Sequence, residues 1–104
     1  MPERPEIVCI CGSMRFAEEM RAVSQSLTLA GVIVLTPAEI DTPITDEQKA
    51  ALGELHLRKI DVADRVVVVN RGERFGESTT REIDYARAAG KPVTFVRPAW
   101  GSPQ

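Results

Sequence analysis

Histidine, cysteine and aromatic residues are scarce in this sequence, and long apolar runs are absent. The 104 residues include one histidine, His56, and two cysteines, Cys9 and Cys11. No apolar stretch approaches the roughly 20 residues that cross a bilayer, and the N-terminus lacks the basic-then-apolar layout of a signal peptide. We therefore expect a cytoplasmic protein with no membrane partner.

The two cysteines lie two positions apart within the apolar run 7–11, which places both on one face of a strand. That geometry disfavours a disulfide between them. Two free thiols are typical of a protein in a reducing compartment. A metal site would need further cysteine or histidine ligands at matching spacing, and only the distant His56 remains. The sequence therefore predicts small buried thiols and no metal.

Length and charge restrict the class of protein further. A chain of 104 residues fits one domain, 1–104. Thirteen basic and fifteen acidic residues give a net charge of −2, which is a poor match to a bare polynucleotide. A small anionic ligand held by a few local groups is compatible with this charge.

Strand and helix patterns alternate along the chain. Apolar runs predict strands at 7–11, 32–35, 65–70 and 92–96. Apolar spacing, a Thr45/Gln48 capping box and closing glycines predict helices at about 16–30, 45–61 and 79–89. Right-handed crossovers then give a Rossmann/flavodoxin-like, three-layer α/β sandwich whose four-stranded parallel sheet has the order 2-1-3-4.

In such a sheet, ligands bind beyond the carboxyl ends of strands one and three. The first loop there contains Gly12, which permits a sharp turn, Ser13, which can cap the next helix, and the cation of Arg15. Together they could hold a phosphate or carboxylate. The alternative is that Ser13 is only a cap and Arg15 a solvated side chain.

The second loop leads through Gly76 and Ser78 into a helix that carries Glu82. A carboxylate in the first helical turn is stabilised as an anion by about 0.3 to 1 kcal/mol, and an ionised, positioned carboxylate can act as a nucleophile. The alternative is a capping box between Thr79 and Glu82, in which the glutamate only satisfies a backbone amide.

Several segments together resemble a known family. The turn at 11–15 (CGSMR), the segment 63–68 (ADRVVV) and the segment 76–86 resemble the nucleoside 2-deoxyribosyltransferases, including their nucleotide N-hydrolase branch. The resemblance spans about residues 7–96. The ordered set of segments is more specific than any one of them.

This resemblance implies cleavage or exchange of the N-glycosidic bond of a nucleoside or nucleoside 5′-monophosphate, with Glu82 as the nucleophile. It also implies that Ser13 and Arg15 hold the 5′-phosphate, with Gly12, Gly76 and Ser78 completing the substrate-binding set. No metal or organic cofactor is needed for that reaction. Members of the family commonly form homodimers or larger homo-oligomers.

The sequence departs from the family pattern at three places. The aspartate that assists the leaving base falls at His56, a tyrosine of the family is replaced by Cys9, and the chain has four predicted strands where five are usual. His56 could act as the acid near pH 7, or it could be a partly exposed helical histidine. The alternative function is a non-catalytic nucleotide-binding or sensing module.

Four further residues complete the expectations. Asp61 and Asp64 fall near the amino end of the third strand, away from the pocket, and are predicted to be structural caps or ion-pair partners. Phe75 and Trp100 are aromatic residues in predicted loops, where packing is the usual role and lining a pocket or an interface is the alternative.

Overall fold

A computed structural model describes residues 4–70, 72 and 74–97, so Trp100 lies outside the described residues. Its elements in chain order are β1 (Ile7–Cys11), α1 (Ala17–Leu29), β2 (Ile33–Leu35), α2 (Asp46–Val62), β3 (Arg65–Val69), α3 (Glu77–Ala88) and β4 (Val93–Val96). A short 3-10 turn, Met14–Phe16, precedes α1. No helix of the described ranges has the length and apolarity to span a membrane.

The four strands form one parallel sheet of order β2-β1-β3-β4, which confirms the predicted order. Both faces of the central strands are covered. Residues Cys9 and Cys11 of β1 pack with residues of α2 and α3 such as Leu57 and Ile83, whereas Val8 and Ile10 pack on the other face with residues such as Met20 of α1. The three-layer α/β sandwich is therefore confirmed.

Helix α2 begins as the sequence predicts. The Thr45 hydroxyl accepts the Gln48 backbone N–H at 3.0 Å, and the Gln48 side chain accepts the Thr45 backbone N–H at 2.8 Å. This reciprocal capping box satisfies two amides that the helix itself leaves unpaired. The helix then runs one residue beyond the predicted end, to Val62.

Helix α3 begins two residues earlier than the sequence predicts. Gly76 is its N-cap, with extended backbone and no side-chain cap, and the Thr80 N–H already bonds the Gly76 carbonyl at 3.0 Å. Thr79 is consequently the third residue of the helix, and Glu82 lies in the second turn. The predicted first-turn position of Glu82 is therefore wrong, and so is the alternative of a Thr79/Glu82 capping box.

Asp64 connects the amino ends of β1 and β3. Its carboxylate accepts two hydrogen bonds from the Arg4 guanidinium, at 2.7 and 2.8 Å, and one from the Ile7 backbone N–H at 2.8 Å. These bonds, that of Arg4 foremost, hold the pKa of Asp64 well below its usual range. The predicted structural role of this residue is confirmed.

Replacing Asp64 by Asn should therefore destabilise the fold in a pH-dependent way. A carboxylate whose folded-state pKa is depressed stabilises the fold above its unfolded pKa of about 3.9, and this contribution is lost as the pH falls towards the folded-state pKa. Urea unfolding at pH 7 should show a lower free energy of unfolding for Asp64→Asn. The deficit should shrink below about pH 4. The exposed Asp84→Asn change is the control, and a deficit independent of pH would contradict this account.

Candidate active site

A cavity of about 350 Å³ opens at the carboxyl ends of β1 and β3. This volume falls in the range of about 300 to 1,000 Å³ that is usual for small-molecule sites. Its lining includes six of the seven predicted site residues, namely Gly12, Ser13, His56, Gly76, Ser78 and Glu82. It also includes residues that the sequence did not single out, such as Pro37 after β2 and Lys49 on α2.

Glu82 stands on the wall of this cavity with its side chain 14% exposed. One carboxylate oxygen, Oε1, lies 3.8 Å from Nε2 of His56. Burial raises the pKa of Glu82 above its ordinary value, and the neighbouring charge of His56 opposes that shift. The contact with the imidazole therefore favours the ionised form of this carboxylate.

His56 lies on the inner face of α2 and is 5% exposed, so the expectation of a partly exposed helical histidine is wrong. Its Nε2 lies 3.4 Å from Sγ of Cys11 and 3.6 Å from Sγ of Cys9. Burial lowers the pKa of His56, but the hydrogen bond to Cys9 and the charges of Cys9 and Glu82 outweigh it, and the pKa is raised. Its Nδ1 is buried and has no hydrogen-bond partner among the described residues.

The two cysteines are free and fully buried on one face of β1, as predicted. The hydrogen bond from Cys11, with help from His56, lowers the pKa of the Cys9 thiol to about 6. The same bond, together with burial, raises the pKa of Cys11. No sequence motif indicates the cluster of Cys9, Cys11 and His56. The histidine is 45 residues or more from either cysteine, and only the fold brings them together.

The first loop approaches the end of β3 very closely. A Cβ atom on Gly12 would lie 2.9 Å from the carbonyl oxygen of Val69, so glycine is required there. Ser13 caps the following 3-10 turn, and its hydroxyl accepts the Arg15 backbone N–H at 3.2 Å. The predicted cap is therefore present, and the residue also lines the cavity.

Arg15 is the one predicted site residue outside the main cavity. It lines a narrow recess that shares Gly12, Ser13, Gly76 and Thr79 with the cavity, and its guanidinium carbon lies 5.1 Å from the centre of the Phe16 ring. A second arginine, Arg74, and Asn70 line the same recess. Sequence reasoning missed Arg74, since an isolated arginine in a loop carries no pattern.

No family sequence model matches this chain, and no curated protein matches it in sequence. Solved structures do match its fold. A 2-deoxyribosyltransferase from the psychrotolerant bacterium Bacillus psychrosaccharolyticus has a TM-score of 0.74 at 17% identity, covering 94% of this chain and 77% of the other.

Two further structures are similar. A 2-deoxyribosyltransferase from Leishmania mexicana has a TM-score of 0.68 at 18% identity, over 88% of this chain and 63% of the other. A conserved protein from Enterococcus faecalis V583 has a TM-score of 0.64 at 18% identity, over 88% and 62%. This chain thus spans less than two thirds of the latter two, and identities of this size show the fold alone. The chain has a nucleoside 2-deoxyribosyltransferase-like fold, as its sequence resemblance implied.

Proposed function

We propose that this protein cleaves or exchanges the N-glycosidic bond of a nucleoside or nucleoside 5′-monophosphate, with Glu82 as the nucleophile. The observation that carries the proposal is the Glu82 carboxylate, largely buried on the wall of a cavity and paired with His56. Two structures with the same fold are described as 2-deoxyribosyltransferases, which supports a nucleoside as substrate.

In this mechanism a carboxylate oxygen of Glu82 attacks the anomeric carbon of the sugar. The C–N bond breaks, the base leaves with the bonding electrons and takes up a proton, and a glycosyl ester remains on the protein. Water then attacks the same carbon to complete hydrolysis, or a second base attacks it to complete transfer. Either step frees the Glu82 carboxylate.

We assign His56 to positioning Glu82 instead of the acid role that the sequence suggested. Its Nε2 faces the carboxylate and both thiols, and its Nδ1 is sealed in the protein interior. We therefore assign both nitrogens to surroundings within the protein and not to a contact with the departing base. The imidazole stabilises the ionised carboxylate, and the proton for the base comes from solvent in the open cavity.

Glu82→Gln should abolish base release, because the amide cannot form the glycosyl ester. We expect a loss of about 10³-fold or more, measured by chromatography of nucleosides and 5′-monophosphates after incubation. Glu77→Gln, an exposed change in the first turn of the same helix, is the control and should retain activity. Full activity of Glu82→Gln would refute the proposal.

The same panel tests the alternative function. If the wild-type protein releases no base but is stabilised against heat by one of the nucleotides, the chain is a nucleotide-binding or sensing module.

Arg15→Ala should weaken the preference for 5′-monophosphates over nucleosides. Loss of a charged hydrogen bond to phosphate costs about 10- to 100-fold in kcat/KM for the monophosphate, and the unphosphorylated nucleoside should be unaffected. Arg87→Ala, at the other end of α3, is the matched control. An equal loss of kcat/KM for both substrates would contradict the assignment of Arg15 to phosphate binding.

His56→Gln distinguishes a positioning role from an acid role. If the histidine acts through Glu82, kcat should fall by a similar factor for nucleosides whose bases are good and poor leaving groups, with little change in KM. If it donates the proton, the loss should be much larger for poor leaving groups, up to the ~10² to 10⁴ that acid catalysis supplies. That second pattern would overturn our assignment.

A further inference from the structure

Beneath the cavity floor, three side chains with metal-ligating atoms converge. We propose that Cys9, Cys11 and His56 bind a thiophilic divalent cation, of which Zn²⁺ is the representative, and that the cation enters through the cavity. This inference goes beyond glycosidic chemistry and does not depend on it.

The distances among the three ligand atoms match a metal site. Bonds of about 2.3 Å to sulfur and about 2.0 Å to nitrogen, at tetrahedral angles, separate the nitrogen from each sulfur by about 3.5 Å. The observed separations from Nε2 of His56 are 3.4 Å to Cys11 and 3.6 Å to Cys9. All three atoms lie within 4.8 Å of one another, so small rotations of the side chains bring them onto one ion.

The donor set determines which cations fit. Two thiolates and an imidazole are soft to borderline ligands, which suit Zn²⁺ and related transition metals and do not suit Mg²⁺ or Ca²⁺. Three protein ligands also leave one coordination position open. Oε1 of Glu82 lies 3.8 Å from Nε2 of His56, so this carboxylate or a water is available to complete the tetrahedron.

The fold holds the ligands in place before a cation arrives. Both thiols project from β1, an interior strand of the sheet, and His56 is followed on α2 by Leu57, which packs in the same core. The support is nevertheless incomplete, because Nδ1 of His56 has no hydrogen-bond partner among the described residues. Missing support of this kind typically weakens metal affinity by about 10- to 100-fold, so we expect an exchangeable ion.

Titration of the full chain with Co²⁺ alone tests the site. After chelator treatment, the wild-type protein should bind one equivalent and develop sulfur-to-cobalt charge-transfer bands in the near ultraviolet, and Zn²⁺ should abolish them. Cys9→Ser and Cys11→Ser should each remove about half of the band intensity, because each change deletes one cobalt–sulfur bond. Glu54→Gln, a change at an exposed carboxylate, is the control and should leave the bands intact.

The wild-type titration is decisive even where a cysteine variant fails to fold. Cys9 and Cys11 are the only cysteines of the sequence, so charge-transfer bands in the folded protein identify them as ligands. Absence of the bands, or their persistence in a folded Cys9→Ser/Cys11→Ser variant, would overturn the proposal and leave thiols that only hydrogen-bond His56. The bands report cobalt–sulfur bonds, whereas the chromatographic assay reports base release, so failure of one proposal is distinguishable from failure of the other.

Discussion

Parallel pairing of β1 with β3 is the interaction on which the rest of the site depends. The register sets Cys9 opposite Val66 and Cys11 opposite Val68, which turns both thiols towards the face that α2 and α3 cover. The same pairing places the carboxyl ends of β1 and β3 side by side, so that Gly12 lies close to the Val69 carbonyl oxygen. A slip of one residue would turn the thiols towards α1 and dismantle the cluster.

The alignment of His56 with Glu82 depends on how α2 and α3 pack on that face. Ion pairs such as Arg81 with Glu54 join the two helices at the surface, but exposed pairs of this kind contribute little. Burial of Leu57 and Ile83 in the shared core is the stronger constraint, since a fully buried leucine or isoleucine contributes about 1.5 to 3 kcal/mol. The site is thus positioned by hydrophobic packing and only tuned by charge.

The sequence predicted what local patterns can encode. Apolar runs, the Thr45 capping box and the crossover rule led to the correct elements and strand order, and to the edge of the sheet at which the cavity opens. The start of α3 was missed, because a Thr-x-x-Glu motif looks like a cap even when Gly76 has already begun the helix. The burial of His56 and its contact with the thiols were missed for a different reason: they arise from packing between distant segments, which no spacing rule records.

His56 belongs to both proposed sites, and the two roles compete because both use its Nε2. Without a cation, the imidazole can place positive charge beside the partly buried Glu82. With Zn²⁺ bound, two thiolates neutralise the ion and the histidine must be neutral to coordinate it. Glu82 then either loses the favourable charge of the imidazolium or becomes a ligand itself, and both changes oppose its role as the proposed nucleophile. Under the two proposals taken together, the metal-free protein is the form in which His56 supports Glu82.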